Sequence, residues 1–302
     1  MKTVSVILTT YNSANCIEKS VDSILHQEGV GKSFLIELIV VDDCSTDTTV
    51  EILRQKNVRY FSTGKNSGGP NKGRNIGLQN ATGDFICIAD HDDIWKPNKL
   101  LATLPYLEQV PIVTSGYTLI DSSKEKTIDR LANAATPFVL YPQNVTFLQK
   151  LTKSLTGQNT YLGSIIYRSE LKNVLFEEHF GVVDYDWLLR LFHQNASIEV
   201  CQSLYLRFVD GKNLSLNEGY RRKDFYYSLM HIENYEALYP KETAISFQKI
   251  HGSRARFYYM VGNMKKARTY FLRSSWDLKT LMYYLTTFAG SEYVKKRFNV
   301  FG

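Results

Sequence analysis

The sequence predicts an α/β protein with a mostly parallel sheet flanked by helices, and three observations carry that expectation. Short β-rich apolar runs alternate with helical patterns through the first half, the order in which strands and their covering helices follow one another. Each run ends in polar residues, as in open sheets whose ligands bind beyond the carboxyl ends of the strands. With 302 residues, 44% hydrophobic and 22% charged, the chain is long enough for one large core, or one core plus a smaller appendage.

The first element is a strand at Val4-Ser5-Val6-Ile7-Leu8, closed by Thr9-Thr10-Tyr11-Asn12. Ile17, Val21, Ile24 and Leu25 then recur at helical spacing. A second strand, Leu35-Ile36-Glu37-Leu38-Ile39-Val40-Val41, ends in Asp42-Asp43-Cys44-Ser45-Thr46-Asp47, and a weaker helical pattern follows at Val50, Ile52 and Leu53. The third, Phe85-Ile86-Cys87-Ile88-Ala89, ends in Asp90-His91-Asp92-Asp93. These three polar clusters are expected to converge on one crevice. Between about Pro111 and Asp210 a strand-like run, Ser164-Ile165-Ile166-Tyr167, precedes a helix beginning near Asp184. Beyond Gly219 the pattern is helical and aromatic, with Tyr258, Tyr259, Tyr270, Phe271, Trp276, Tyr283 and Tyr284 among Lys and Arg.

Charge divides the chain at the same place. Residues 219–302 hold 15 Lys and Arg against 6 Asp and Glu, a net +9 within a whole-chain net of +6, so residues 1–218 are acidic by 3. No run reaches the roughly 18 apolar residues of a membrane span, and Val4 to Leu8 is too short for a secretory signal. The expectation is a cytoplasmic protein. Cys16, Cys44, Cys87 and Cys201 form no Cys-x-x-Cys pair, which speaks against zinc and redox dithiols and for small buried hydrophobes.

Asp90 and Asp92 are two apart at the end of an extended run, and a period of two puts both side chains on one side. A hard cation, Mn²⁺ or Mg²⁺, takes one or two such carboxylates and fills its remaining positions with phosphates and water. Asp-x-Asp triplets are common in loops, so taken alone this one reads first as a solvated acidic turn ahead of Trp95-Lys96-Pro97.

In order along the chain stand Val4 to Asn12 with Ser23 and Gln27, Val41 to Asp47, Asn66-x-Gly68, Arg74-Asn75-x-Gly77, Ala81-x-Gly83-Asp84 and Asp90 to Asp93. This series resembles the family 2 glycosyltransferases, with Thr9 where Pro is usual and Cys44 where Gly is usual. The resemblance implies a GT-A fold, Rossmann-like, with a helical C-terminal extension. It implies a nucleotide-sugar donor, with residues 1–110 as the nucleotide-sugar half, 111–218 as the acceptor half and 219–302 as the extension. Thr10 and Tyr11 would line the base, Asp43 would accept from its ring N–H, and Arg74 would hold base or diphosphate oxygens. Asp90, with His91 beside it, would reach the ribose, and Asp92 the metal. For Tyr11 ordinary packing, and for Arg74 a surface ion pair, are the plain alternatives.

Asp184-Tyr185-Asp186-Trp187-Leu188-Leu189-Arg190 resembles the family's acidic motif, with Val183 in place of its Glu. Inverting transfer needs a base for the acceptor proton, and the resemblance gives that role to Asp184. A helix N-cap is the alternative, and Asp186 is four residues from Arg190, the spacing of a helix-surface ion pair. In Arg207-Phe208-Val209-Asp210-Gly211, Asp210 stands near a His of relatives and is the candidate second metal ligand, the alternative being a loop that does no metal work. The basic aromatic tail suggests peripheral contact with an anionic membrane surface at its inner face and a glycan or lipid-linked acceptor, the alternative being an aromatic-cored subdomain with a solvated basic face. No nucleic-acid module is recognised. The rival functions are a sugar nucleotidyltransferase, which would need a Gly-rich phosphate loop after the first strand, and a non-catalytic nucleotide-sugar or glycan-binding module. No GxGxxG follows the first strand, which disfavours a dinucleotide-binding dehydrogenase.

Overall fold

The computed structural model describes residues 1–121, 125–178, 184–209 and 218–289, and they fall into two units. The first takes in residues 1–147 and 156–220, the second 148–155 and 221–302.

Ten strands among the described residues form the sheet of the first unit: β1 (Lys2–Thr10), β2 (Phe34–Asp42), β3 (Tyr60–Ser62), β4 (Phe85–Asp90), β5 (Ile94–Trp95), β6 (Ile112–Asp121), β7 (Lys126–Arg130), β8 (Phe138–Tyr141), β9 (Ile166–Arg168) and β10 (Ser197–Val209). Their order is β3-β2-β1-β4-β9-β6-β10-β5, with β7 beside β6 and β8 beside β10. The block β3-β2-β1-β4 is parallel, and so is the long β6–β10 pair. Antiparallel β9 joins the two blocks.

The three expected strands lie inside β1, β2 and β4. Val4 to Thr10 are all buried, which is why the run reads as continuous apolar sequence rather than alternation. Ser164 differs from expectation: it belongs to a 3₁₀ turn, and β9 starts at Ile166, because the chain must turn before it pairs antiparallel to β4.

Helices α1 (Ile17–Leu25), α2 (Thr49–Gln55), α3 (Asn71–Asn80), α4 (Lys99–Thr103), α5 (Val145–Leu151) and α6 (Asp184–Phe192) follow in order. Ile17, Val21 and Ile24 form the buried stripe of α1, packed with Val4, Val6 and Leu8 of β1 in one core. Burial of such a side chain stabilises by about 1.5–3 kcal/mol. The other face of β1 meets α3. A Cβ at Gly73 would lie 3.0 Å from Thr9 Cγ2, and one at Gly77 would overlap Ile7 Cγ2, so two glycines four residues apart set α3 close against the strand.

The second unit contains the end of α5, all but the first three residues of α7 (Glu218–Glu233), and α8 (Pro240–Met260), α9 (Met264–Phe271) and α10 (Leu278–Thr286). Its core is largely aromatic: Tyr258, Tyr259, Phe271 and Tyr283 pack with Ala255 and Ala267. Tyr259 donates its hydroxyl to Thr286 Oγ1 at 3.0 Å. No helix of the described residues is long and apolar enough to cross a membrane. All four cysteines are free; Cys87 and Cys201 are buried, Cys16 and Cys44 half-buried.

Candidate functional site

The carboxyl ends of β1, β2 and β4 come together through their loops. Asp43 N–H donates to the Thr10 carbonyl at 2.9 Å, Thr46 N–H to Asn12 Oδ1 at 2.8 Å, and Asn12 N–H to Ser45 Oγ at 2.9 Å. Asn12 and Cys44 adopt left-handed backbone, φ 48° and 63°. The second explains a Gly preference at that position: a side chain there costs roughly 1–2 kcal/mol. His91 Nδ1 lies 3.2 Å from the Thr9 carbonyl, so that nitrogen carries the proton and donates, tying the third cluster to the first.

Thr10 is buried and shares a short hydrogen bond with Ser13, whereas the Tyr11 ring is 44% exposed. The Asp43 carboxylate is nearly buried and immobilised: Ser67 N–H donates to both its oxygens at 2.9 and 3.0 Å, and the Thr63 hydroxyl to Oδ1 at 2.7 Å. Asn66 donates to the Asp43 carbonyl at 3.3 Å and accepts from Gly68 N–H at 3.0 Å, with Gly68 at φ +78°. The Asn66-x-Gly68 motif is thus the turn that carries Ser67 to Asp43.

Arg74 is the hub. It is 3% exposed, and Nη1 donates to Asp184 Oδ1 at 2.7 Å and Asn71 Oδ1 at 3.1 Å, while Nη2 donates to Asp90 Oδ1 at 3.1 Å. Its guanidinium sits 5.1 Å from the Phe176 ring centroid, and Nε has no hydrogen-bond partner among the described residues. Burial works against its charge, but the carboxylates of Asp184 and Asp90 outweigh burial and raise its pKa above the ordinary value. The terminal nitrogens therefore face protein carboxylates and join the end of β4 to the start of α6.

A side-chain scaffold holds α6 there. Asn75 accepts from Phe176 N–H at 2.8 Å and donates to the Phe176 carbonyl at 2.9 Å. Phe176 stacks on Trp187 at 4.6 Å and 9°. Trp187 Nε1 donates to the Val174 carbonyl at 2.8 Å and Arg190 Nη2 to the Leu175 carbonyl at 2.7 Å. Asp186 is buried and pairs with Arg190 at 2.6 Å, as its spacing suggested, and this pair braces the helix.

Asp92 is exposed and Asp93 buried, and neither makes an ion pair or a side-chain hydrogen bond among the described residues. Although the Asp92 residue is exposed, partial desolvation of its carboxyl by neighbouring groups and the charge of Asp90 push that carboxyl up; burial, Asp90 and Asp92 push Asp93 well up. Two unpartnered acceptor-only oxygens at Asp92 beside Asp90 fit a hard cation completed by phosphate and water. Among the described residues no group of three side chains closes round a metal, and Asp210 and Val183 lie outside them.

Sequence reasoning missed Asp93, Lys99, Tyr161, Phe176 and Arg207. Lys99 is fully buried, donates to the Gly163 carbonyl at 2.8 Å and lies 4.4 Å from the Trp95 ring; burial lowers its pKa to about 8. Arg207 covers the half-exposed Tyr161 ring at 4.0 Å. Asp93 and Arg207 stood inside quoted motifs without a role, Lys99 stood just after the third cluster, and Tyr161 and Phe176 carried no sequence signal.

The model for "Glycosyl transferase family 2" matches residues 5–193. TarS of Staphylococcus aureus, a poly(ribitol-phosphate) beta-N-acetylglucosaminyltransferase, is 37% identical over 113 residues, 36% of this chain and 19% of TarS. A Bacillus subtilis glycosyltransferase named for teichuronic acid biosynthesis, TuaG, is 32% identical over 164 residues, 51% of this chain and 59% of TuaG. The chain thus spans less than two thirds of either relative. Among solved structures, S. aureus TarS 1-349 in complex with UDP-GlcNAc superposes with a TM-score of 0.67 at 20% identity, covering 91% of this chain and 82% of that one. The mannosyltransferase PcManGT of Pyrobaculum calidifontis, in complex with GDP-Man and Mn²⁺, gives 0.57 at 18% identity, covering 95% and 79%. The fold is that of these GT-A enzymes, and with a family model running from the core of β1 through the end of α6, the chain belongs to the family 2 glycosyltransferases.

Proposed function

We propose that the chain is an inverting transferase that moves a sugar from a nucleotide-sugar, a UDP-sugar in the first instance, to an acceptor hydroxyl. The observation that carries this reading is the Arg74 bridge, which sets Asp184 one guanidinium away from Asp90. Asp184 takes the proton of the acceptor hydroxyl as that oxygen bonds to the anomeric carbon. The bond from that carbon to the diphosphate oxygen breaks on the opposite face, and its electron pair leaves with the nucleoside diphosphate. Thr10, Tyr11 and Asp43 receive the base; the fixed Asp43 carboxylate, with lone pairs left over, suits a ring N–H. Asp90 takes the ribose with His91 beside it, and Arg74 holds Asp90 and Asp184 in register. Asp92, joined by Asp210, would hold Mn²⁺ or Mg²⁺, which when bound neutralises charge on the departing diphosphate.

The UDP-GlcNAc bound to TarS supports a uridine donor, and the Mn²⁺ of PcManGT supports a cation. The names of TarS and TuaG support an acceptor of the surface-glycan type, here a lipid-linked precursor met at the inner face of the membrane. Residues 1–218 carry the transferase, 219–302 its helical extension.

Calorimetric titration with UDP, GDP and UDP-GlcNAc, with Mn²⁺ and with chelator, tests the donor site. Metal-dependent binding of the uridine compounds is expected; silence toward every nucleotide would overturn the reading in favour of a non-catalytic module. Asp184→Asn should lower kcat about 10²–10⁴-fold with donor affinity kept, and equal loss of both would make Asp184 structural.

A further inference from the structure

Helix α10 turns its more polar side inward and its more apolar side outward. Thr280, Tyr283 and Thr287 face the core of the second unit. Leu278, Leu281, Met282, Leu285 and, just past the helix, Phe288 recur at i, i+3, i+4, i+7 and i+10, the spacing of one continuous face. These five are exposed by 75%, 41%, 50%, 58% and 68%. A surface helix turns such a row inward, and a contiguous exposed row of this kind marks an interaction site. Trp276, half-exposed and set edge-on to Tyr284 at 5.3 Å, extends the row at its N-terminal end.

The surroundings say what covers it. Residues 254–289 hold seven Lys and Arg, of which all but the buried Arg254 reach the surface, and a single acid, Asp277. That acid is spent on the helix itself: its carboxylate accepts Thr280 N–H at 2.6 Å. Lys279 stands exposed on α10, and Lys265, Lys266, Arg268 and Arg273 belong to α9 and the turn after it. Arg268 covers the Phe288 ring at 4.7 Å, which puts a cation directly on the apolar row. An apolar stripe bordered by cations and by an aromatic ring of amphipathic character matches the boundary between acyl chains and anionic headgroups. A helix of nine residues is about 14 Å long, half of a bilayer's hydrocarbon core, so it can lie in that boundary and cannot cross it.

We propose that the Leu278–Leu281–Met282–Leu285–Phe288 face of α10 seats the second unit on an anionic lipid surface, the apolar row entering the headgroup zone and the surrounding Lys and Arg meeting lipid phosphates. This deepens the reading of an acceptor at the membrane face by naming the surface that makes the contact.

The test is sedimentation of the intact chain with vesicles of equal parts phosphatidylglycerol and phosphatidylcholine, and with phosphatidylcholine alone, beside a Leu281→Ser/Leu285→Ser variant. Both residues are exposed, so thermal unfolding and nucleotide binding should match the parent and certify the fold. The parent is expected to bind the anionic vesicles and to be released by salt, and the variant to need about tenfold more lipid. Equal binding by parent and variant would overturn this face while sparing the membrane reading. Absence of parent binding to any vesicle would overturn both. Concentration-dependent dimerisation of the parent that the variant loses would assign the face to a second copy instead. Transfer to a soluble acceptor is measured in parallel and bears on the transferase reading alone.

Discussion

Arg74 carries one positive charge between two carboxylates on separate elements, and the shape of its side chain matters as much as its charge. A planar fork can serve Asp90 and Asp184 together, whereas an ammonium is a point charge that serves one well. Arg74→Lys should therefore fold and bind nucleotide near the parental affinity, with kcat reduced on the order of 10²-fold by misplacement of Asp184; steady-state kinetics beside calorimetry checks the split. Lys99 makes a different kind of statement. Its pKa falls from 10.5 unfolded to about 8 folded because it is buried. Between these values the unfolded chain holds a proton that the folded chain has released, so this group makes stability rise with pH through that window, and its burial cost is fully present below pH 8. The urea midpoint of the parent, compared with Lys99→Met from pH 7 to about 10, should gain on the variant as pH rises; a constant difference would refute the burial assignment. Arg74, Asp90 and Asp184 were each legible in the sequence, but the bridge that joins them and the burial of Lys99 were not. Lys99 and Phe176 have no motif of their own, and their environments arise from contacts far along the chain, 64 residues for the Lys99 bond to Gly163 and 101 for the Phe176 bond to Asn75.

Elements were easier to foresee, because strands buried on both faces announce themselves as apolar runs and their polar ends mark the crevice. β1, β2 and β4 were readable on those grounds, and the start of α6 from the acidic motif that opens it at Asp184. What could not be read was how closely α3 lies on β1, since its residues carry weak helical periodicity and two glycines. Those glycines are the reason for the close approach. A methyl at Gly77 must push against Ile7, so Gly77→Ala should cost about 1–3 kcal/mol despite its better helix propensity. Thermal denaturation measures the loss, and a fall in kcat larger than the stability change implies would show that α3 has moved Arg74 with it. The Asn75–Phe176 and Trp187–Phe176 contacts make the same point from the far side: α3 and α6 are positioned through one short segment gripped by both.

At the scale of the whole molecule, a donor that binds only the folded chain must stabilise it. At a hundredfold excess over Kd the gain is about 2.7 kcal/mol. UDP with Mn²⁺ should raise the Tm by several degrees and UDP with chelator by much less, a shift read by differential scanning fluorimetry. The basic charge of residues 219–302 was visible from composition, but the exposure of the α10 row was not, because helical spacing alone would turn Leu278, Leu281, Met282 and Leu285 inward, whereas the structure turns Thr280, Tyr283 and Thr287 to the core.

The Arg74 bridge also has a history in time. Its partners are separated by 16 and 110 residues along the chain, and the ribosome adds roughly 5–20 residues each second. Asp90 emerges almost together with Arg74, while Asp184 follows roughly 5–20 s later, at the far end of a stretch that includes β5 to β9. During that interval a nascent chain can assemble β1 to β4 and α3 with the guanidinium half-paired. Asp184 is the last member of the bridge to be delivered, so a product terminated before residue 184 carries Arg74 and Asp90 without the carboxylate that ties α6 to them.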